Sequence, residues 1–69
     1  MLQIFYKEKP IIVSDKKSDL KNSLIIDLDL LENLDLLKLL SKKNINSIGV
    51  LSNEFEIILN IFKKFRVYD

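Results

Sequence analysis

Hydrophobic and polar side chains alternate in the first residues of the chain, which is the period of a β-strand. Residues 2–7 alternate in this way, so the pattern predicts a strand with at least one buried face. Charged residues and a proline then predict a turn over residues 7–10. The apolar run at residues 11–13 predicts a second strand, antiparallel to the first in a hairpin. Because proline cannot donate a ladder hydrogen bond, we expect Pro10 at the first position of that strand or on a sheet edge.

A polar stretch over residues 14–23 separates the hairpin from a third apolar run. Leu20 is its single apolar residue, so the stretch is typical of a solvated loop or of one short helical turn. Residues 24–26 have β-branched character and are closed by Asp27, which predicts a short buried strand.

Capping signals and apolar spacing predict a helix next. Asp29 is placed to cap it, with Glu32 three residues later in a capping-box arrangement. The helical pattern continues to about Asn44, and lysines near this end complement the helix dipole.

The last part of the chain repeats the strand-then-helix pattern. Residues 48–51 predict a strand, and Asn53 with Glu56 predicts the start of a second helix that runs through Phe65. Residues 66–68 return to an extended pattern. The order strand, strand, strand, helix, strand, helix, strand predicts an α/β fold bordering on α+β. Its mixed sheet has four to five strands, an N-terminal hairpin, two helices and right-handed crossovers.

The first predicted helix carries more leucine than one buried stripe needs. Four leucines at helical spacing form one stripe, and further leucines extend the apolar surface toward a second side. Packing between the two helices is one explanation, and contact with an outside surface is the other. Isoleucines on the second helix raise the same question. We predict that this combined flank is an interaction surface made of Leu36, Leu39, Leu40, Ile57 and Ile61.

The residue types present limit the chemistry of the chain. Among 69 residues there is no cysteine and no histidine, so thiol and imidazole chemistry is excluded. The single glycine, Gly49, lies in a predicted strand, which indicates close packing of a helix on the sheet rather than a phosphate loop. A net charge of +1 favours neither nucleic acid nor an anionic membrane, and no apolar run has membrane-spanning length. We therefore predict a cytoplasmic, non-enzymatic chain without catalytic residues or a cofactor.

Acidic side chains support an alternative function, that of a metal-binding module. Asp15, Asp27 and Asp29 follow predicted strands, where open α/β sheets bind ligands, and carboxylate oxygens suit Mg²⁺. A stand-alone regulatory or receiver-like module with a metal at these residues is the alternative function. Ordinary roles compete with it, because aspartate also serves as a turn residue, a strand end or a helix cap.

Both ends of the chain resemble a known family. Residues 2–15, LQIFYKEKPIIVSD, look like the start of Nudix-type hydrolases from Bacteroidetes, in which a strand, a lysine–proline turn and a second strand open an extra domain before the catalytic one. Residues 62–69, FKKFRVYD, resemble the segment that leads into the first strand of the Nudix fold. The family's metal-binding cluster of glutamates with an adjacent arginine has no counterpart here.

The resemblance implies that residues 1–69 are a single N-terminal accessory domain of a longer protein. The implied partner is its own catalytic domain, a Mg²⁺-dependent hydrolase of a nucleoside diphosphate linked to another group, or a second copy in a homodimer. The small size favours association independently, since domains of about 60 residues bury only about 60% of their unfolded surface. The expected function is therefore that of a non-catalytic interaction domain.

Overall fold

The computed structural model describes residues 1–33 and 35–64. It is a mixed α/β domain, which confirms the fold class expected from the sequence. Four strands form one sheet in the order β1-β2-β4-β3, with β1 antiparallel to β2 and the other neighbours parallel. The elements are β1 (Leu2–Tyr6), β2 (Lys9–Ser14), a 3₁₀ turn (Lys17–Leu20), β3 (Leu24–Asp27), α1 (Leu28–Asn33), α2 (Leu36–Leu40), β4 (Ile48–Leu51) and α3 (Phe55–Lys64).

The N-terminal hairpin is confirmed, but its turn is shorter than the sequence indicates. Only Lys7 and Glu8 lie in the turn, and both have positive φ (49° and 69°), which is typical of a two-residue type I′ turn. Lys9 and Pro10 belong to β2, which lies inside the sheet. Pro10 is tolerated there because pairing with β4 begins one residue later, at Ile11.

The helices cover one face of the sheet, which we call the helical face. Residues paired across neighbouring strands point to the same face of the sheet. Ile11 and Val13 of β2 pair with Ile48 and Val50 of β4, and all four side chains are buried. Helix α1 lies against β3 and β4. The buried cluster on this face consists of Ile11, Val13, Ile26, Leu31, Leu36, Leu40, Ile48, Val50, Ile58 and Phe62.

The single first helix expected from residue 29 to about residue 44 is wrong, because the structure forms two short helices there. Helix α2 has its own N-cap at Asp35, whose carboxylate accepts the backbone N–H of Lys38 at 3.2 Å. A continuous helix with leucine on all sides cannot turn every leucine toward the sheet. Because a new helix starts after Asp35, its leucines point in a different direction, and both Leu36 and Leu40 are buried.

The ends of these helices also differ from the sequence-based expectation. Asp27, not Asp29, caps α1, since its Oδ1 accepts the N–H of Leu30 at 2.8 Å. Helix α2 ends at Leu40, where the ammonium group of Lys9 donates to the carbonyl oxygens of Leu40 and Lys42 at 2.6 and 2.7 Å. This cation complements the carbonyl end of the helix and ties it to the start of β2.

The third strand is present, although it is not buried as expected. Strand β3 forms a sheet edge, so Leu24 and Ile25 are exposed and only Ile26 enters the core. Strand β4 lies between β2 and β3, and its residues Ile48 and Val50 are fully buried. A central parallel strand is buried on both faces, whereas an edge strand is not.

Helix α3 confirms the second predicted helix over its described length. Ile58 and Phe62 face the core, as the apolar spacing indicates. Its start differs in one detail, because Ser52 Oγ, rather than the side chain of Asn53, accepts the N–H of Glu54 at 3.0 Å. The expected continuation to Phe65 and the extended segment at residues 66–68 lie outside the described residues.

Candidate interaction surface

The opposite face of the sheet, which we call the open face, has a different covering. Within residues 1–33 and 35–64, the 3₁₀ turn is the element that packs on it, and it lies against the middle strands β2 and β4. The side chain of Leu20 projects from this turn and is fully buried. Leu20 stands apart from the buried cluster of the helical face, so the sheet carries a second, much smaller core on this side.

Gly49 makes this second core possible. A Cβ placed on Gly49 would lie 3.0 Å from Leu20 Cβ and 3.1 Å from Leu20 Cδ2, which is closer than side chains normally pack. Glycine therefore allows the turn to approach the sheet directly. The prediction that Gly49 permits close packing is confirmed, although the packed element is a short turn.

A polar contact holds the turn in place at the end of β2. Ser14 is the buried polar residue of the described chain, and its Oγ donates to Asp19 Oδ2 at 2.5 Å. The same oxygen accepts the N–H of Lys16 at 3.1 Å. The polar pattern of residues 14–23 predicts only a solvated stretch and does not reveal the pair formed by Ser14 and Asp19. A short serine-to-aspartate spacing at a strand end was the available signal.

Apolar side chains remain uncovered on both sides of the turn. Phe5 is 61% exposed and Ile25 is 37% exposed, at opposite margins of the sheet. Between them, further apolar side chains of β2 and β4 are half-buried. The pairing register places all of these on the open face, away from the helices. We define the open-face patch as Phe5, Pro10, Ile12, Ile25 and Leu51.

The helix flank predicted as an interaction surface is largely used inside the domain. Leu36 and Leu40 are buried in the main core, so the prediction is wrong for these two residues. Leu39 and Ile61 are half-buried and pack against the same core. Ile57 is 44% exposed and remains available. The break before α2 accounts for the difference, since it turns the surplus leucines inward.

The three candidate metal ligands are not brought together. Asp27 caps α1, Asp29 accepts a hydrogen bond from Asn33 Nδ2 through its main-chain carbonyl at 2.8 Å, and Asp15 is exposed after β2. Strand β4 separates the strands that end near Asp15 and Asp27, which sets them about 10 Å apart across the sheet. No group of three or more acidic side chains in the described part of the chain is placed to hold a metal ion.

A groove of about 330 Å³ lies at the start of β3. Its polar groups are used to join two loops, because Ser23 Oγ and Ser47 Oγ lie 2.9 Å apart and Ser47 Oγ donates to the carbonyl of Asn22 at 3.2 Å. The groove therefore has a structural explanation. It is lined by Asn22, Leu24, Asn44, Ile45, Asn46 and Ser47.

Comparisons with known proteins add no further identification. No protein-family model, curated protein or solved structure matches the chain. The resemblance of residues 2–15 and 62–69 to Nudix-type hydrolases consequently stays a prediction. Among the described helices, none has the length and apolar character needed to cross a membrane.

Proposed function

We propose that this chain is a non-catalytic interaction domain that docks on a protein partner through the open-face patch. The partner is a catalytic domain that follows it, of Nudix type if the resemblance holds, or a second copy of the chain. The observation that supports this proposal most directly is the contrast in covering, with three helices on one face and one short turn on the other.

The favourable free energy of burying Phe5 on docking can be calculated from its exposed area. A phenylalanine side chain buries about 150–250 Å² when it is enclosed. Because 61% of Phe5 is exposed, roughly 100–150 Å² would leave water on docking. At about 25 cal/mol per Å² of apolar area, this residue alone favours docking by roughly 3 kcal/mol before the costs of association.

The residue types of the chain agree with a binding role. A patch of phenylalanine, proline, isoleucine and leucine can exclude water from an interface, and depletion of charge is typical of interface centres. No member of the open-face patch is ionisable. The absence of histidine and cysteine from the sequence also leaves few groups that transfer protons or attack a substrate near neutral pH.

Hydroxyl-radical labelling followed by mass spectrometry tests the proposal on two samples, the protein as its gene encodes it and residues 1–69 alone at low concentration. In the first sample, labelling should be mostly lost at Phe5, Ile12 and Ile25. Leu30 and Ile57 provide matched controls, because they are 49% and 44% exposed but lie on helices. Equal labelling of the patch in both samples would contradict docking through the open face.

A Mg²⁺ titration separates this proposal from the regulatory alternative. If the chain is an interaction domain, the NMR signals of Asp15, Asp27 and Asp29 should show no localised shift as Mg²⁺ is added. Saturable shifts confined to these three residues would instead support a metal-dependent module. CaCl₂ and KCl at equal ionic strength serve as controls for specific binding and for screening.

A further inference from the structure

Among residues 1–33 and 35–64, strand β1 pairs with β2 on one side only, and the residues whose main-chain groups point to the other side can be assigned. In a two-residue type I′ hairpin, Tyr6 and Lys9 form the first hydrogen-bonded pair, and the next pair is not hydrogen-bonded. That next pair is Phe5 with Pro10, and Pro10 has no N–H to give. The N–H and C=O groups of Phe5 therefore point away from β2. The same is true of Gln3, two residues earlier.

We propose that a second copy of this chain pairs with β1, edge to edge and antiparallel, and joins the two sheets into one. This inference rests on the proposed interaction role and names one partner and its contact. Within the described residues no strand pairs with the outer edge of β1. The occupant must supply an extended backbone with its own free edge, and β1 of a second copy supplies it.

The register of this pairing is fixed by symmetry. A two-fold axis through Ile4 sets Gln3 of one copy opposite Phe5 of the other, so the outward main-chain groups meet their complements. Each Gln3–Phe5 pair then exchanges both of its hydrogen bonds. The two Ile4 side chains approach each other on the helical face, and Leu2 lies beside Tyr6 of the second copy. The apolar rows of the two sheets thereby continue across the axis.

Three devices that normally prevent such pairing, namely charge, proline and a bulge, are missing from β1. Between Leu2 and Tyr6 there is no charged residue and no proline, and β1 pairs with β2 without a bulge. The nearest charged side chain is that of Lys7. In the proposed register the two Lys7 residues lie six residue steps apart, roughly 20 Å at 3.3 Å per residue. This exceeds the Debye length of about 8 Å at physiological salt, so repulsion between them is screened.

The contact area indicates a weak and rapidly exchanging pair. Stable complexes bury roughly 800 Å² on each partner, and a five-residue strand edge with one exposed phenylalanine offers much less. We therefore expect pairing at high protein concentration, or wherever another contact holds two copies together. Local enrichment by such a contact would raise the occupancy of the edge without any new interaction at β1.

Amide hydrogen exchange followed by NMR at two concentrations tests this pairing. Within β1, protection should rise with concentration at Gln3 and Phe5, while Ile4 and Tyr6 are already protected by β2. When nine chains in ten are paired, exchange at Gln3 and Phe5 should slow by about tenfold, because it proceeds through the unpaired tenth. Sedimentation velocity on the same samples should show the matching shift from monomer to dimer.

Three variants of β1 distinguish this edge from other contacts. Gln3→Pro removes one outward N–H and should abolish the dimer, whereas Gln3→Thr keeps the N–H and should retain it. If Gln3→Pro does not fold, Phe5→Lys serves instead, since Phe5 is exposed and the added cations lie within a Debye length of each other. That variant should weaken pairing at low salt and recover partly at high salt.

Three results would overturn the pairing. They are free exchange of Gln3 and Phe5 up to millimolar concentration, protection of both at every concentration, and a dimer that survives Gln3→Pro. The second result would show that the edge is already covered from within one chain. None of them removes the broader proposal, which is tested separately by the labelling of Ile12 and Ile25 in the protein as encoded.

Discussion

The helical face and the open face belong to the same four strands, yet the chain covers them to very different extents. In residues 1–33 and 35–64, ten buried side chains from strands and helices form the core of the helical face. Over the same residues, Leu20 is the one large apolar side chain of the open face that is fully buried, and it packs on Gly49. The free energy of folding must therefore come mainly from the helical face, which leaves the open face free to take part in binding.

Removing a large side chain from the helical face should have the greatest effect. We expect Phe62→Ala to lower the free energy of unfolding by about 3–5 kcal/mol, because Phe62 is fully buried and leaves a cavity. Urea unfolding followed by circular dichroism measures this. The matched variant Phe5→Ala, on the open face, should cost less than about 1 kcal/mol. Similar losses at the two positions would refute the division between the faces.

Because a domain of this size is only a few kcal/mol stable, Phe62→Ala risks unfolding the chain outright. Phe62→Leu is the milder form and should cost roughly 1–2 kcal/mol, a loss that keeps the transition measurable. A loss within about 0.5 kcal/mol of zero for Phe62→Leu would show that α3 is not packed as described.

Gly49→Ala should have the next largest effect and acts on the open face. The added methyl group meets Leu20 Cβ at 3.0 Å, so the 3₁₀ turn must shift, at a cost of about 1–3 kcal/mol. The cost should fall sharply when Leu20→Gly, which removes Cβ together with the rest of the side chain, is already present, and a double-mutant cycle measures this. An undiminished cost in the Leu20→Gly background would mean that Gly49 is needed for some reason other than this contact.

The start of α2 provides a smaller effect on the helical face. Asp35→Ala removes the carboxylate that accepts the N–H of Lys38 and should cost about 0.5–2 kcal/mol. Asn53→Ala is the control, because in the turn before α3 it is Ser52 Oγ that accepts the N–H of Glu54, and the substitution should cost less than about 0.5 kcal/mol. If the two variants were equally destabilising, the assignment of Asp35 as a cap would be in doubt.

Parts of the fold were predictable because a single local signal decides each of them. The alternation in β1, the charged turn and the apolar run after it indicate the hairpin, although not the length of its turn, and the spacing of Ile58 and Phe62 marks the buried side of α3. The paired helices α1 and α2 were not predictable in this way. Leucine occurs on every side of this segment, so periodicity points to no single face and does not show where the helix must restart.

The candidate surface was harder to predict than the fold. The alternation in β1 separates Phe5 from Leu2 and Ile4, but it does not say which set meets the helices. That choice depends on strand order and on the side of the sheet that the crossover helices occupy, and both are decided by contacts distant in sequence. For the same reason the leucines of α2 were assigned to a surface when tertiary packing buries them.

The smallest effect on stability should accompany the clearest effect on association. Phe5→Gln keeps the backbone of β1 and replaces an exposed ring with a polar side chain, so the free energy of unfolding should change by less than about 0.5 kcal/mol. Removing the aromatic ring from the open-face patch should nevertheless weaken binding by about tenfold or more. Sedimentation equilibrium and urea unfolding on the same preparation measure the two quantities. If Phe5→Gln changed stability but not association, the open face would be a poorly covered part of the folding core rather than a binding surface.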